Sequence, residues 1–104
     1  MKMIDDERNN EVKKVKIKKA NQLEYIVKGF ANKRRINILF LLEQNPELSV
    51  SEVAENFNIN FVSVSNHLSK MMSRGLVMKR NDKKEVRHAL TRKGRKVADF
   101  LKIL

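Results

Sequence analysis

The chain has 104 residues, enough for one small domain. It contains no cysteine, which excludes disulfides, thiolate metal sites and Cys nucleophiles, and fits a reducing cytoplasm. Its 23 Lys and Arg outnumber its 12 Asp and Glu to give a net charge of +11, so a polyanion is the first partner to consider.

Residues 1–19 read as a basic extension. Asp5, Asp6 and Glu7 suit a helix N-terminus, and Lys13, Lys14, Lys16, Lys18 and Lys19 form a basic run broken by Val12, Val15 and Ile17. Helix, strand and loose arm all remain open for this stretch. Met1 to Asn10 has no apolar signal-peptide core, and no apolar run reaches the ~18 residues of a membrane span. The sequence therefore predicts no membrane association and a cytoplasmic location.

From Ala20 onward the pattern is helical. Leu23, Ile26, Val27 and Phe30 recur at helical spacing and predict a helix over about 20–30. Asn32 is a suitable N-cap for a second helix from Lys33 to about Glu43, apolar around most of its circumference and so buried on several sides. Asn45 and Pro46 stop it.

Ser49 and Glu52 have capping-box spacing and open a short helix over 50–57, with Val50, Val53, Ala54 and Phe57 inward. Asn58-Ile59-Asn60 is a tight break. Asn60 caps a helix over 61–74 whose inward stripe is Val64, Leu68 and Met71, and Gly75 ends it.

Two short alternating runs, Leu76–Arg80 and Glu85–Leu90, then predict a β-hairpin with a charged tip. Thr91 caps a last helix over about 92–103, where Val97, Phe100, Leu101 and Leu104 fall on one side.

A short helix, a tight turn, a longer helix and then a hairpin make a winged helix-turn-helix, mainly α with a small antiparallel β-hairpin. Residues 20–104 form this domain. Its second half is the more basic: residues 53–104 carry 12 basic and 4 acidic side chains, against 11 and 8 in residues 1–52.

A helix fits the major groove of B-DNA and reads bases from its N-terminal part. With Val64, Leu68 and Met71 inward, Phe61, Val62, Ser65, Asn66 and Ser69 are left on the outer face of helix 61–74. Asn66 can pair bidentately with adenine, and Phe61 or Val62 can touch a thymine methyl. Phe61 and Val62 are unusually apolar for a helix start, and Phe61 suits packing against the preceding helix equally well.

The base-reading set is thus Phe61, Val62, Ser65 and Asn66. The phosphate-positioning set is Asn60, Ser63, Ser69, Lys70, Arg74, Lys79, Arg80, Lys83, Lys84 and Arg87, in helix 61–74 and the wing over 77–90.

"FANKRRINILFLL" (Phe30–Leu42), "LSVSEVAENFNIN" (Leu48–Asn60) and "VSVSNHLSKMMSRGLV" (Val62–Val77) resemble the ArsR/SmtB family of dimeric winged-helix repressors. "ALTRKGRKVADFL" (Ala89–Leu101) is closer to MarR-like relatives. The resemblance covers about 20–104. It implies a transcriptional regulator bound to double-stranded DNA at an inverted repeat. It also implies a homodimer joined through the first and last helices, by Leu23, Ile26, Val27, Phe30, Val97, Phe100, Leu101 and Leu104. The one-sided apolar stripes of these helices, larger than a three-helix core needs, agree.

Many members of that family bind metal through a Cys-x-Cys pair in the first motif helix. The matching positions here are Ser49 and Ser51, poor ligands for soft metals. A second family site uses Asp and His on the last helix, where this chain has Asp99 and no histidine after Thr91. No metal site and no cofactor are expected. His67 reads as a structural residue beside Leu68, and His88 as an ordinary surface or half-buried strand residue.

No nucleophile–base pair, phosphate loop or carboxylate dyad has identifiable spacing, so no enzymatic activity is expected. Two other readings remain: a nonspecific architectural DNA-binding protein, and a winged helix used for protein–protein contact.

Overall fold

A computed structural model describes residues 11–14, 17–81 and 84–104. The elements run α1 (Ile17–Lys28), α2 (Lys33–Gln44), α3 (Val50–Phe57), α4 (Phe61–Ser73), β1 (Val77–Asn81), β2 (Val86–Leu90) and α5 (Arg92–Lys102). Each lies close to its expected place. Helix α1 starts at Ile17 rather than near Ala20, so the last residues of the basic stretch belong to it. Most of the N-terminal extension and the wing-tip residues Asp82 and Lys83 lie outside the described residues.

The helix ends follow local chemistry. The Asn32 side-chain oxygen accepts from the amides of Arg34 and Arg35 at 2.9 and 3.2 Å and opens α2. Ser49 Oγ accepts from the Glu52 amide at 3.2 Å, and the Glu52 carboxylate accepts from the Ser49 amide at 2.8 Å. This reciprocal pair satisfies two amides that would otherwise be orphaned at the start of α3. Asn60 Oδ1 accepts from Ser63 N–H at 2.8 Å, and Thr91 Oγ1 from Gly94 N–H at 3.0 Å.

Helices α3 and α4 both end in a left-handed residue, Asn58 at φ 54° and Gly75 at φ 78°. In α4, Gly75 N–H donates to the Met72 carbonyl and Leu76 N–H to the Met71 carbonyl, both at 3.0 Å. That pairing turns the chain at once into the wing, and it puts Leu76 beside Met71 in the core.

The core is one cluster. Ile38, Leu39 and Leu42 of α2 meet Val53 and Ala54 of α3, Val64, Leu68 and Met71 of α4, Leu76, Val77 and Leu90 around the hairpin base, and Ala98 of α5. Each fully buried aliphatic side chain contributes roughly 1.5–3 kcal/mol. Strands β1 and β2 pair antiparallel with Val77 opposite Leu90 and Asn81 opposite Val86. Their base is buried and their outer end is exposed.

Leu48 adds a single antiparallel bridge to His88, with backbone bonds of 2.7 and 3.1 Å. This bridge covers His88, which is only 3% exposed instead of sitting at the surface or half-buried.

Helix α5 packs through an unexpected face. Gly94 and Ala98 are its buried residues. A Cβ at Gly94 would stand 2.1 Å from the Leu76 carbonyl oxygen, so the helix lies against backbone. Val97 and Leu101 are half-buried at the edge of the core, while Phe100 and Leu104 are 56% and 84% exposed. Ile26 of α1 and Phe30 in the turn after it pack on the core, and Leu23 and Val27 of α1 face outward. The described residues include no helix long and apolar enough to cross a membrane.

Candidate nucleic-acid interface

Helix α4 buries Val64, Leu68 and Met71 completely. The opposite face must therefore meet solvent or a partner. Asn66 and Ser69 are exposed there, Ser63 and Ser65 are half-buried on its flanks, and Asn60 is exposed at its start. Phe61 is 54% and Val62 66% exposed, so each keeps more than half of its surface open to a partner. The helix thus presents an apolar pair at its N-terminus and an amide and hydroxyls behind it.

The wing stands beside this face. A narrow cleft lined by Ser65, Ser69, Met72, Lys79 and Val86 separates the two. Lys79 and Lys84 are exposed on the wing. Arg80 instead reaches back to Glu47, with Nε 3.2 Å from the carboxylate. Arg87 is held within the fold: Nη1 lies 3.2 Å from Glu52 and 3.3 Å from the Glu47 carbonyl, and Nη2 lies 2.9 Å from Glu85. These contacts, with the Leu48–His88 bridge, fix the hairpin to the start of α3. The Ser49 amide holds the Glu52 carboxyl below its ordinary range, and the Arg87 charge adds to this against partial desolvation.

On the other flank of α4, Lys70 is half-buried. Arg74 turns to α1, where its guanidinium stacks on Tyr25. The expected phosphate residues are therefore of two kinds. Lys70, Lys79 and Lys84 have no carboxylate partner among the described residues, whereas Arg74, Arg80 and Arg87 are engaged within the fold. Lys83 lies outside the described residues.

Sequence reasoning did not single out Arg34 and Arg35, on the first turn of α2. Their charges reach His67 on α4. Burial first, then Arg35 and Arg34, push the His67 pKa below its ordinary value. The signal was present as an Arg-Arg pair directly after a cap residue, but only the fold brings it beside α4. His88 is also lowered, chiefly by burial, although its bond with the Leu48 carbonyl opposes the shift.

The position matching a family metal ligand, Ser49, is occupied with capping α3. Among the described residues no group of three or more His, Asp or Glu side chains is placed to hold a metal ion.

This geometry agrees with known proteins. Residues 32–79 match the family model of bacterial regulatory proteins of the arsR family. No curated protein matches the chain by sequence. Among solved structures, HlyU from Vibrio cholerae is 29% identical with a TM-score of 0.72, covering 81% of this chain and 91% of its own. The homodimeric winged helix-turn-helix DNA-binding domain Mb0332 from Mycobacterium bovis is 25% identical with a TM-score of 0.76, covering 84% of this chain and 81% of its own. The transcriptional repressor BigR from Xylella fastidiosa shares the fold at 24% identity and a TM-score of 0.72, over 82% of this chain and 84% of its own. The chain thus has the winged helix-turn-helix fold of these solved regulators, and its residues 32–79 are similar to the arsR family of bacterial regulatory proteins.

Proposed function

We propose that the protein is a dimeric, sequence-specific repressor that binds double-stranded DNA at an inverted repeat. The observation that carries this is the outer face of α4. Phe61, Val62 and Asn66 stand clear of the core at the start of a helix whose other side is fully buried. With Ser65, they read base edges in the major groove: Asn66 pairs with adenine, and Phe61 and Val62 meet thymine methyls. Lys70, Lys79 and Lys84, with Asn60, Ser63 and Ser69, position the helix on phosphates and give the binding its salt dependence. Arg80 and Arg87 keep the wing in place through Glu47, Glu52 and Glu85.

The DNA-binding and dimerisation unit is residues 20–104, preceded by the basic extension of residues 1–19, whose last residues enter α1. Leu23 and Val27 of α1, Phe100 of α5 and Leu104 just beyond it leave apolar surface exposed, which a second copy would cover. The homodimeric state of the Mycobacterium bovis domain supports a dimer here. A two-fold axis would place two copies of α4 about one DNA turn apart, ~34 Å. Occupying an operator excludes other proteins sterically, so repression needs no further active surface. Such a regulator works in the cytoplasm, on the nucleoid DNA, and the chain needs no cofactor or catalytic group for it.

Selection from a randomised duplex library at ~150 mM salt tests this directly. Enrichment of an inverted repeat with half-sites one turn apart is expected. Tight binding without enrichment would establish an architectural protein instead. The exposure of Phe61 and Val62 favours one further reading, a winged helix that docks on protein, and absence of DNA retention would favour it. Under that reading, alanine at Ser65 and Asn66 would leave partner binding intact.

A further inference from the structure

Helix α1 and the C-terminal end of α4 meet in a close, three-part contact. The Arg74 guanidinium carbon lies 4.1 Å from the centre of the Tyr25 ring. Arg74 Nη1 donates to the Tyr25 carbonyl at 3.0 Å, and the Tyr25 hydroxyl donates to the Ser73 carbonyl at 2.7 Å. Ser73 is the last residue of α4, where carbonyls have no partner within the helix.

The approach depends on glycine at position 29. A Cβ there would stand 2.6 Å from Arg74 Cβ and 2.8 Å from its Cγ, and 3.0 Å from a methyl of Leu76. Gly29 is buried, and Arg74 Nε is buried without a hydrogen-bond partner, so this arginine is drawn into the contact and away from solvent.

We propose that Tyr25, Gly29 and Arg74 form a clasp that ties the reading helix to α1 and so sets the half-site spacing the dimer accepts. The inference rests on the dimeric DNA-binding reading above. Helix α1 faces two ways: Leu23 and Val27 point to the side where a second copy would pack, and Tyr25 grips α4. Whatever fixes α1 at the two-fold axis therefore fixes the distance and tilt between the two copies of α4. One base pair of added spacing moves a half-site by roughly 3.4 Å and turns it about the DNA axis. A firm clasp rejects that displacement and a loose one tolerates it. Arg74 is then a positioning residue, acting through the helix it holds and not on a phosphate.

The test uses the full chain and duplexes carrying two selected half-sites, with the centre-to-centre distance changed by one or two base pairs. Affinity is measured across salt for Arg74→Lys, Arg74→Ala and Tyr25→Leu. Arg74→Lys keeps the charge a phosphate contact would need but cannot keep the planar stack and its fork of donors. All three variants are expected to lower discrimination between the best and the shifted spacing by about two- to fivefold, the range of an exposed cation–π contact. Their salt slopes should stay at the wild-type value.

Arg74→Lys behaving as wild type, while Arg74→Ala lowers the salt slope by about 1, would overturn the clasp in favour of a phosphate contact. Equal affinity loss at every spacing would also overturn it, because that is what general destabilisation produces. A wild-type chain with no spacing optimum would sink the dimeric reading itself, which is distinct from a sharp wild-type optimum that the variants fail to change.

Discussion

Asn66 is the side chain on which sequence choice depends most directly. It is exposed in the middle of the outer face of α4, and its amide offers one acceptor and two donors in one plane. Asn66→Ala should cost about 1–3 kcal/mol of discrimination at one adenine and relax the selected sequence at that position alone. Competition binding against single-base operator variants reads this out; a uniform loss at all positions would assign Asn66 to positioning.

His67, its neighbour, links the fold to pH. Its ordinary value is 6.5, and burial with the Arg35 and Arg34 charges lowers it in the folded protein. The unfolded chain therefore binds a proton more readily than the folded one. The stability this neutral imidazole supports is complete above about pH 6.5 and is lost as pH falls through the folded value. His88 acts in the same direction through its burial. Thermal melts from pH 7.5 to 5 should show a falling midpoint, and His67→Gln should flatten the decline. A variant with an unchanged pH profile would remove His67 as a contributor.

At the scale of elements, most of what positions the interface is local. The Ser49–Glu52 box, the Asn60 and Thr91 caps and the left-handed Gly75 are short-range, and each was legible from residue type and spacing. Ser49→Ala should destabilise the domain by about 0.5–2 kcal/mol, seen as a lower urea midpoint with unchanged slope.

The buried face of α5 was not legible. A search for large apolar residues at helical spacing finds Val97, Phe100, Leu101 and Leu104, and passes over Gly94 and Ala98. Gly94 lies where the Leu76 backbone leaves no room for a Cβ, and Ala98, one turn on, is fully buried. Gly94→Ala should therefore push α5 off the Leu76 carbonyl, costing about 1–3 kcal/mol. Denaturant unfolding checks it, and a neutral substitution would mean that α5 can shift freely.

At the scale of the whole molecule, the described chain leaves Leu23, Val27, Phe100 and Leu104 in contact with water. Exposed apolar surface of this kind is what a partner subunit covers. The double variant Leu23→Glu, Phe100→Glu should sediment as a monomer while keeping its helical content. Its affinity for an inverted repeat should fall at least tenfold, toward that of a single half-site, because two linked heads gain from effective concentration. A wild-type protein that sediments as a monomer at ten micromolar or so, with full affinity, would refute the dimer.

Net charge also belongs to this scale. A charge of +11 pointed to a polyanion from composition alone, and it says nothing about which cations are available to one. Availability depends on neighbours remote in sequence. Glu47 reaches Arg80 and Glu52 reaches Arg87 only once the hairpin has folded back on α3, while Tyr25 takes Arg74 across 49 positions. Lys79 and Lys84 are exposed, and no carboxylate is brought to them among the described residues.

The order of elements, their caps and the inward stripe of α4 depend on periodicity and on bonds spanning three to five residues, so the amino-acid order specifies them without reference to the rest of the chain. The burial of His88, the small-residue face of α5, the engagement of Arg74, Arg80 and Arg87 within the fold, and the grip of α1 on α4 come from contacts between residues tens of positions apart. Those contacts exist only when the elements pack, because side-chain reach is a few ångströms and only the fold brings such residues within it.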